Sequence, residues 1–145
     1  AFAALIAGCA KDGETGPVGP AGPQGNANVR SETFTVSPGD WSTISGGIAV
    51  NWNTSIITEA IANTGTVLLY SNEGGSWVPM PLTVGSITML YQYASGHVQI
   101  EVYGASSITE VSQFKLVAIG SSGMILKGVD LKDYTAVSAR LGLDE

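Results

Sequence analysis

ITMLYQYASGHVQIEVY, residues Ile87–Tyr103, carries the clearest structural signal in the chain. Ile87, Met89, Tyr91 and Tyr93 alternate with Thr88, Leu90 and Gln92. Ala94-Ser95-Gly96 then turns the chain, and Val98, Ile100 and Val102 alternate with Gln99, Glu101 and Tyr103. A period of two sends successive side chains to opposite faces of a strand. Two such runs across a short turn containing Gly predict a β-hairpin.

The same reading extends outward. Thr33–Val36 places Phe34 and Val36 on one face, before the turn cluster Pro38-Gly39-Asp40. Gly46-Gly47 precedes the apolar run Ile48–Val50. Thr66–Tyr70 is rich in β-formers and stops at Asn72-Glu73-Gly74-Gly75. Phe114–Ile119 reads as a buried strand ending at Gly120-Ser121-Ser122-Gly123. Two helices interrupt the strands. Ile57–Asn63 is short, begins near Thr54 or Thr58 and closes near Gly65. The second has Asp130 as its N-cap candidate, Asp133 in its first turn and Gly142 at its C-terminal cap. Leu131, Tyr134, Val137 and Leu141 recur at helical spacing. The expected fold of residues 28–145 is mostly β: an antiparallel, jelly-roll-like β-sandwich with one short internal helix and one C-terminal helix.

Composition narrows the function. The 145 residues include 19 glycines and only 12% charged residues, where about 25% is usual. Six basic residues and a net charge of −6 argue against nucleic-acid binding, which needs Lys and Arg to neutralise phosphates. One Cys and one His cannot build a zinc site or an iron–sulfur cluster, and no cofactor or metal is expected. A disulfide framework needs a second Cys. A hydrophobic share of 44% is too high for a wholly disordered chain.

The N-terminal 27 residues have their own logic. Ala1–Gly8 reads AFAALIAG, uncharged and apolar, like the tail of a secretory signal peptide without its basic start. Eight residues span about 12 Å as a helix, far short of a bilayer's hydrocarbon core. Ile6-Ala7-Gly8-Cys9 resembles the bacterial lipobox. That resemblance implies cleavage before Cys9 and acylation of its thiol, leaving residues 9–12 as a lipidated N-terminus. More than one acyl chain is needed for stable anchoring. The bland alternative, a buried core cysteine, sits poorly between a secretion tail and a Gly/Pro run. Lys11-Asp12 with Glu14 is faintly like a surface-export signal.

Gly then recurs at 13, 16, 19, 22 and 25, with Pro17, Pro20 and Pro23 in the second position of their triplets. This is the collagen period, in which only Gly fits the crowded axis of three chains. Residues 13–27 are read as a collagen-like stalk, either a polyproline II spacer of about 45 Å or a homotrimerising segment through Gly13–Ala27.

Lipobox, short Gly-Pro-X run, Asn26-Ala27-Asn28-Val29 and a β-rich domain together resemble the collagen-like lipoproteins of Bacteroidetes. Ile57-Thr58-Glu59, Asn63–Tyr70, Phe114–Ile119 and Asp130–Tyr134 add to the resemblance. It implies export and a β-sandwich at the outer membrane or cell surface, a periplasmic face being the alternative. It implies no activity, and the chain is not expected to be an enzyme.

Candidates for chemistry are few. His97 follows a hairpin turn, and no Gly-x-Ser-x-Gly elbow accompanies it. Glu59, Glu101, Glu110, Asp130 and Asp133 are the acids from which a glycosidase pair would be drawn, and they are scattered. A calcium site has no EF-hand spacing to support it. Asn53-Thr54-Ser55 matches the N-glycosylation pattern and is discounted in a bacterial setting. The remaining candidates are aromatic. Trp77, Trp41, Trp52 and Tyr91, with Tyr70, Tyr93 and Tyr103, can stack on sugar rings or fill a core. Trp77, between Gly74-Gly75-Ser76 and Pro79, is the one expected to be exposed. The expected function is a lipid-anchored envelope protein with a structural or interaction role. A glycan-binding module is the alternative, and a hydrolase with an unrecognised site ranks third.

Overall fold

A computed structural model describes residues 28–121 and 128–143. The lipobox with Cys9, the collagen-like run 13–27 and Gly123 lie outside the described residues.

Among the described residues, nine strands form two antiparallel sheets. In chain order they are β1 (Val29–Val36), β2 (Ser42–Ile44), β3 (Gly47–Asn53), β4 (Thr66–Glu73), β5 (Ser76–Pro79), β6 (Leu82–Val84), β7 (Ile87–Ala94), β8 (His97–Tyr103) and β9 (Ser112–Ile119). Helix α1 (Glu59–Thr64) joins β3 to β4, and α2 (Tyr134–Leu141) follows β9. The first sheet has the order β1-β9-β4-β5, the second β2-β3-β8-β7-β6. The molecule is therefore a mostly β, two-sheet sandwich with one internal and one C-terminal helix, as its patterning predicts. The predicted hairpin is β7–β8, with Tyr91 opposite Ile100 and Ala94 opposite His97. Its turn needs Gly96, which takes φ 85, and it is pinned by Gly96 N donating to Ile57 O at 2.8 Å.

Alternation decides what fills the space between the sheets. Phe34 and Val36 of β1, Val67 and Leu69 of β4, and Phe114 and Leu116 of β9 meet Val50, Val98 and Ile100 of the second sheet. β9 is apolar without alternation because it is buried twice. Its other face, with Val117 and Ile119, is covered by Tyr134, Val137 and Leu141 of α2. The first sheet is thus the middle layer of three, and α2 is the lid on its outer face.

The helix ends differ in part from expectation. Thr58 caps α1, accepting from Ile61 N at 3.3 Å. Asp133, rather than Asp130, caps α2, accepting from Ala136 N at 3.1 Å. Asp130 instead closes a separate preceding turn through Lys132 N at 3.0 Å, so Leu131 stays outside the helix and is 40% exposed. Gly142 takes the left-handed cap, with φ 64. β2, β5 and β6, three or four residues each, are too short for a periodic signal.

The sandwich has two distinguishable ends. Val29, Ile119 and Thr66 lie in register at the end where β1 begins. The chain of β1, like that of β4, runs away from that end, since both are antiparallel to β9. The β4–β5 turn and the start of β9 therefore sit at the far end, about 23 Å away by strand rise.

Candidate functional site

A concave feature with convergent polar groups lies at the far end, on the outer face of the first sheet. The β4–β5 turn is a two-residue hairpin. Gly74 and Gly75 take φ 61 and 91, which only glycine adopts cheaply, and Asn72 Oδ1 accepts from Gly75 N at 2.9 Å. This turn sets Trp77 opposite Asn72, beside Tyr70 on β4 and Lys115 on β9, with all four on the side that α2 covers. α2 contributes Tyr134 at its first position.

These side chains form one aromatic cluster around an amine. Tyr70 meets Tyr134 edge-on at 4.9 Å between ring centres, and Trp77 lies 6.1 Å from Tyr134. Lys115 Nζ donates to Tyr134 Oη at 2.6 Å and sits 4.8 Å from the centre of the Trp77 ring. Tyr70 Oη donates to Leu131 O at 3.3 Å. Burial, reinforced by the neighbouring Tyr134, pushes the Tyr70 hydroxyl well above the usual tyrosine range.

A cleft of about 590 Å³ opens beside the cluster. Its walls are Gly75, Ser76 and Trp77 on one side and Lys132–Thr135 on the other. It combines an aromatic flank, a basic and an acidic side chain and the hydroxyl-bearing Ser76, Tyr134 and Thr135. Such a lining can stack on a flat apolar ring face and hydrogen-bond the hydroxyls around it.

The other aromatic candidates are elsewhere. Trp52 stacks on Phe34 at 4.5 Å, and its Nε1 donates to Glu32 Oε1 at 2.8 Å. Trp41 packs against the inter-sheet core, its Nε1 buried without an acceptor among the described residues. Tyr91 also faces that core and donates to Val67 O at 3.0 Å, and burial pushes its hydroxyl pKa up. Of the four, only Trp77 lines the cleft. It is half-buried rather than fully exposed, because α2 packs over it. Tyr93 is more open, at 38%.

The acids do not converge in one place. Glu59 begins α1, Asp133 caps α2, and Glu110 lies on the loop before β9. Glu101 lies on the outer face of the second sheet, accepting from Gln92 Nε2 at 3.0 Å and Tyr103 Oη at 2.8 Å. The bond to Glu101 raises the Tyr103 hydroxyl pKa. His97 is exposed at the first position of β8. Among the described residues no group of three or more His, Cys, Asp or Glu could hold a metal ion, and no helix is long and apolar enough to cross a membrane.

Sequence reasoning missed Lys115, Lys132 and Tyr134 as site residues. One signal was present: Lys115 interrupts the buried run Phe114–Ile119, and a lysine there needs a special partner. Compared with known proteins, the chain matches no family model, no curated protein and no solved structure.

Proposed function

We propose that this is a non-enzymatic, lipid-anchored envelope protein that presents its sandwich on a short collagen-like stalk for an interaction role. The reading starts from Ile6-Ala7-Gly8-Cys9, a lipobox-like run, and from the five in-phase glycines that follow. The observation that carries it is polarity. The chain passes from residue 27 into β1 at one end, while the Trp77 cleft opens at the other. An anchor and spacer on the near side would hold that cleft outward, toward the medium or the periplasm. A homotrimer through Gly13–Ala27 would set three clefts side by side.

Intact-mass analysis of the protein from a membrane fraction tests the anchor. Loss of residues 1–8 with diacyl or triacyl mass on Cys9 is expected. A free thiol at Cys9 or a retained Ala1 overturns it. Sedimentation of the mature protein decides between spacer and trimer.

A second reading, a glycan-binding module, is favoured by the cleft itself, where Trp77 lies among Lys132, Asp133 and Ser76. Wild type on a glycan array, with Trp77→Ala as control, tests it. Binding lost in the variant supports a glycan ligand, and no binding to any sugar leaves the interaction role with another partner.

A further inference from the structure

A second site lies on the open side of the sandwich, where the edges of the two sheets face each other. β5 is the edge of the first sheet and β6 the edge of the second. Between them runs an apolar groove of about 420 Å³, lined by Val78, Leu82, Val84, Ile87 and Met89, with Glu73 at its side. It continues into a more polar hollow of about 510 Å³ that shares Glu73, Ile87 and Met89 and reaches Val111 and Glu110.

Three features set this groove apart from an ordinary sandwich edge. First, large apolar side chains stay in water here: Val84 is 67% exposed, Val111 63% and Ile87 39%. Clustered exposure of this kind marks interaction surfaces. Second, β6, Leu82-Thr83-Val84, is short and follows Pro81, yet carries no charged side chain to blunt its free edge. Third, among the described residues the charged side chains lining the two hollows are acidic, Glu73 and Glu110. Glu73 is held in place by Ser71 Oγ, which donates to its Oε1 at 2.6 Å.

The edge is ready to pair. The β6–β7 hairpin has a two-residue turn, Gly85-Ser86, with Gly85 at φ 61. Val84 and Ile87 flank that turn as the hydrogen-bonded pair, so Thr83 and Thr88 form the next, non-hydrogen-bonded pair. Their hydroxyls lie 3.2 Å apart. Thr83 N–H and C=O consequently point away from β7, to the free edge.

We propose that β6 and its groove bind an extended peptide segment by strand addition, with aliphatic residues at alternate positions and a basic residue beside Glu73. Main-chain bonds to Thr83 hold the strand, alternate side chains enter the groove, and the acidic pair selects the charge. The site is separate from the Trp77 cleft and independent of the reading of Cys9. A free Cys9 leaves it standing, and its failure leaves the anchor standing.

The test titrates the full chain with two blocked eight-residue peptides, threonine alternating with groove-facing residues that are valine except for one lysine, and the same peptide with glutamate for that lysine. Wild type is expected to bind the lysine peptide at least tenfold more tightly. Glu73→Lys, an exposed position, should invert that preference, and Thr83→Pro should weaken binding of the lysine peptide at least tenfold. Circular dichroism checks folding, and Glu73→Lys decides the matter where Thr83→Pro unfolds. No binding of either peptide, equal binding of both, or an unchanged preference in Glu73→Lys overturns the proposal. So does self-association that Thr83→Pro abolishes, which would make the occupant a second copy.

Discussion

Lys115 Nζ donates a 2.6 Å hydrogen bond to Tyr134 Oη, joining the inner strand β9 of the first sheet to the first turn of α2. The same amine lies 4.6 Å from the ring centre of Tyr134 and 4.8 Å from that of Trp77. The lysine is 6% exposed, so its bonding has to be met inside the protein.

Removing the acceptor alone should therefore be costly. Tyr134→Phe keeps the ring and deletes the hydroxyl, and is expected to destabilise the fold by about 1.5–3 kcal/mol, the range for a bond to a charged group. Lys115→Met in that background should cost much less than in wild type. Urea unfolding of the four proteins should give a coupling of about 1–2 kcal/mol. A coupling of zero would mean that α2 is held by apolar contact alone.

Glu32 makes a comparable tie between the sheets. It lies on β1 and accepts from Trp52 Nε1 at 2.8 Å and from Thr54 Oγ1 at 2.5 Å. Glu32→Ala leaves both donors without their partner and is expected to cost about 1–3 kcal/mol. Trp41→Phe deletes an indole N–H that has no acceptor among the described residues, so only packing is lost. Trp52→Phe should therefore cost about 1 kcal/mol more than Trp41→Phe, read from urea midpoints. The reverse order would refute the role of Glu32.

Alkali should unfold this protein. Burial raises the hydroxyl pKa of Tyr70 and of Tyr91 above the ordinary value of 10.0. In the unfolded chain both ionise near pH 10, while the folded protein holds their protons. The folded state then binds more protons than the unfolded one, and stability falls as pH rises above about 10. The loss approaches about 1.4 kcal/mol per pH unit for each such tyrosine. Urea midpoints between pH 8 and pH 11.5 should show a flat region followed by this fall. Tyr70→Phe should make the fall shallower, and an unchanged slope would count against its buried hydroxyl.

Two glycines separate space from conformation. A Cβ on Gly47 would lie 2.1 Å from the backbone carbonyl oxygen of Val102 on the paired strand, where neither side can yield. A Cβ on Gly39 would meet nothing within 4 Å. Gly47→Ala is expected to cost more than about 2 kcal/mol and Gly39→Ala less than about 0.5 kcal/mol. Thermal unfolding of the pair checks both.

Much of the fold was legible because its signals are local. The alternation of Ile87–Tyr103 specifies both the hairpin and the face each residue takes. The Thr58 cap and Gly142 mark helix ends through bonds made within four residues. The Asp130 assignment failed for an equally local reason: two aspartates three apart both suit a cap, and the chain uses the first for a turn and the second for α2. The cleft was far less legible. Trp77 was singled out, yet its partners Tyr134 and Lys115 lie 57 and 38 positions further along the chain. Trp41 and Trp52, equally plausible by composition, are drawn to the inter-sheet core.

By itself the sequence determined the strand periods, the Gly142 cap, the single cysteine after an apolar run and the triplet glycines, because each depends on neighbours in the chain. Only the tertiary structure decided that β9 is buried on both faces, that α2 covers Lys115, and that the β5 and β6 edges leave an acidic, apolar groove open. Those outcomes depend on which faces meet across the sandwich, and pairing between distant segments leaves no periodic trace along the chain.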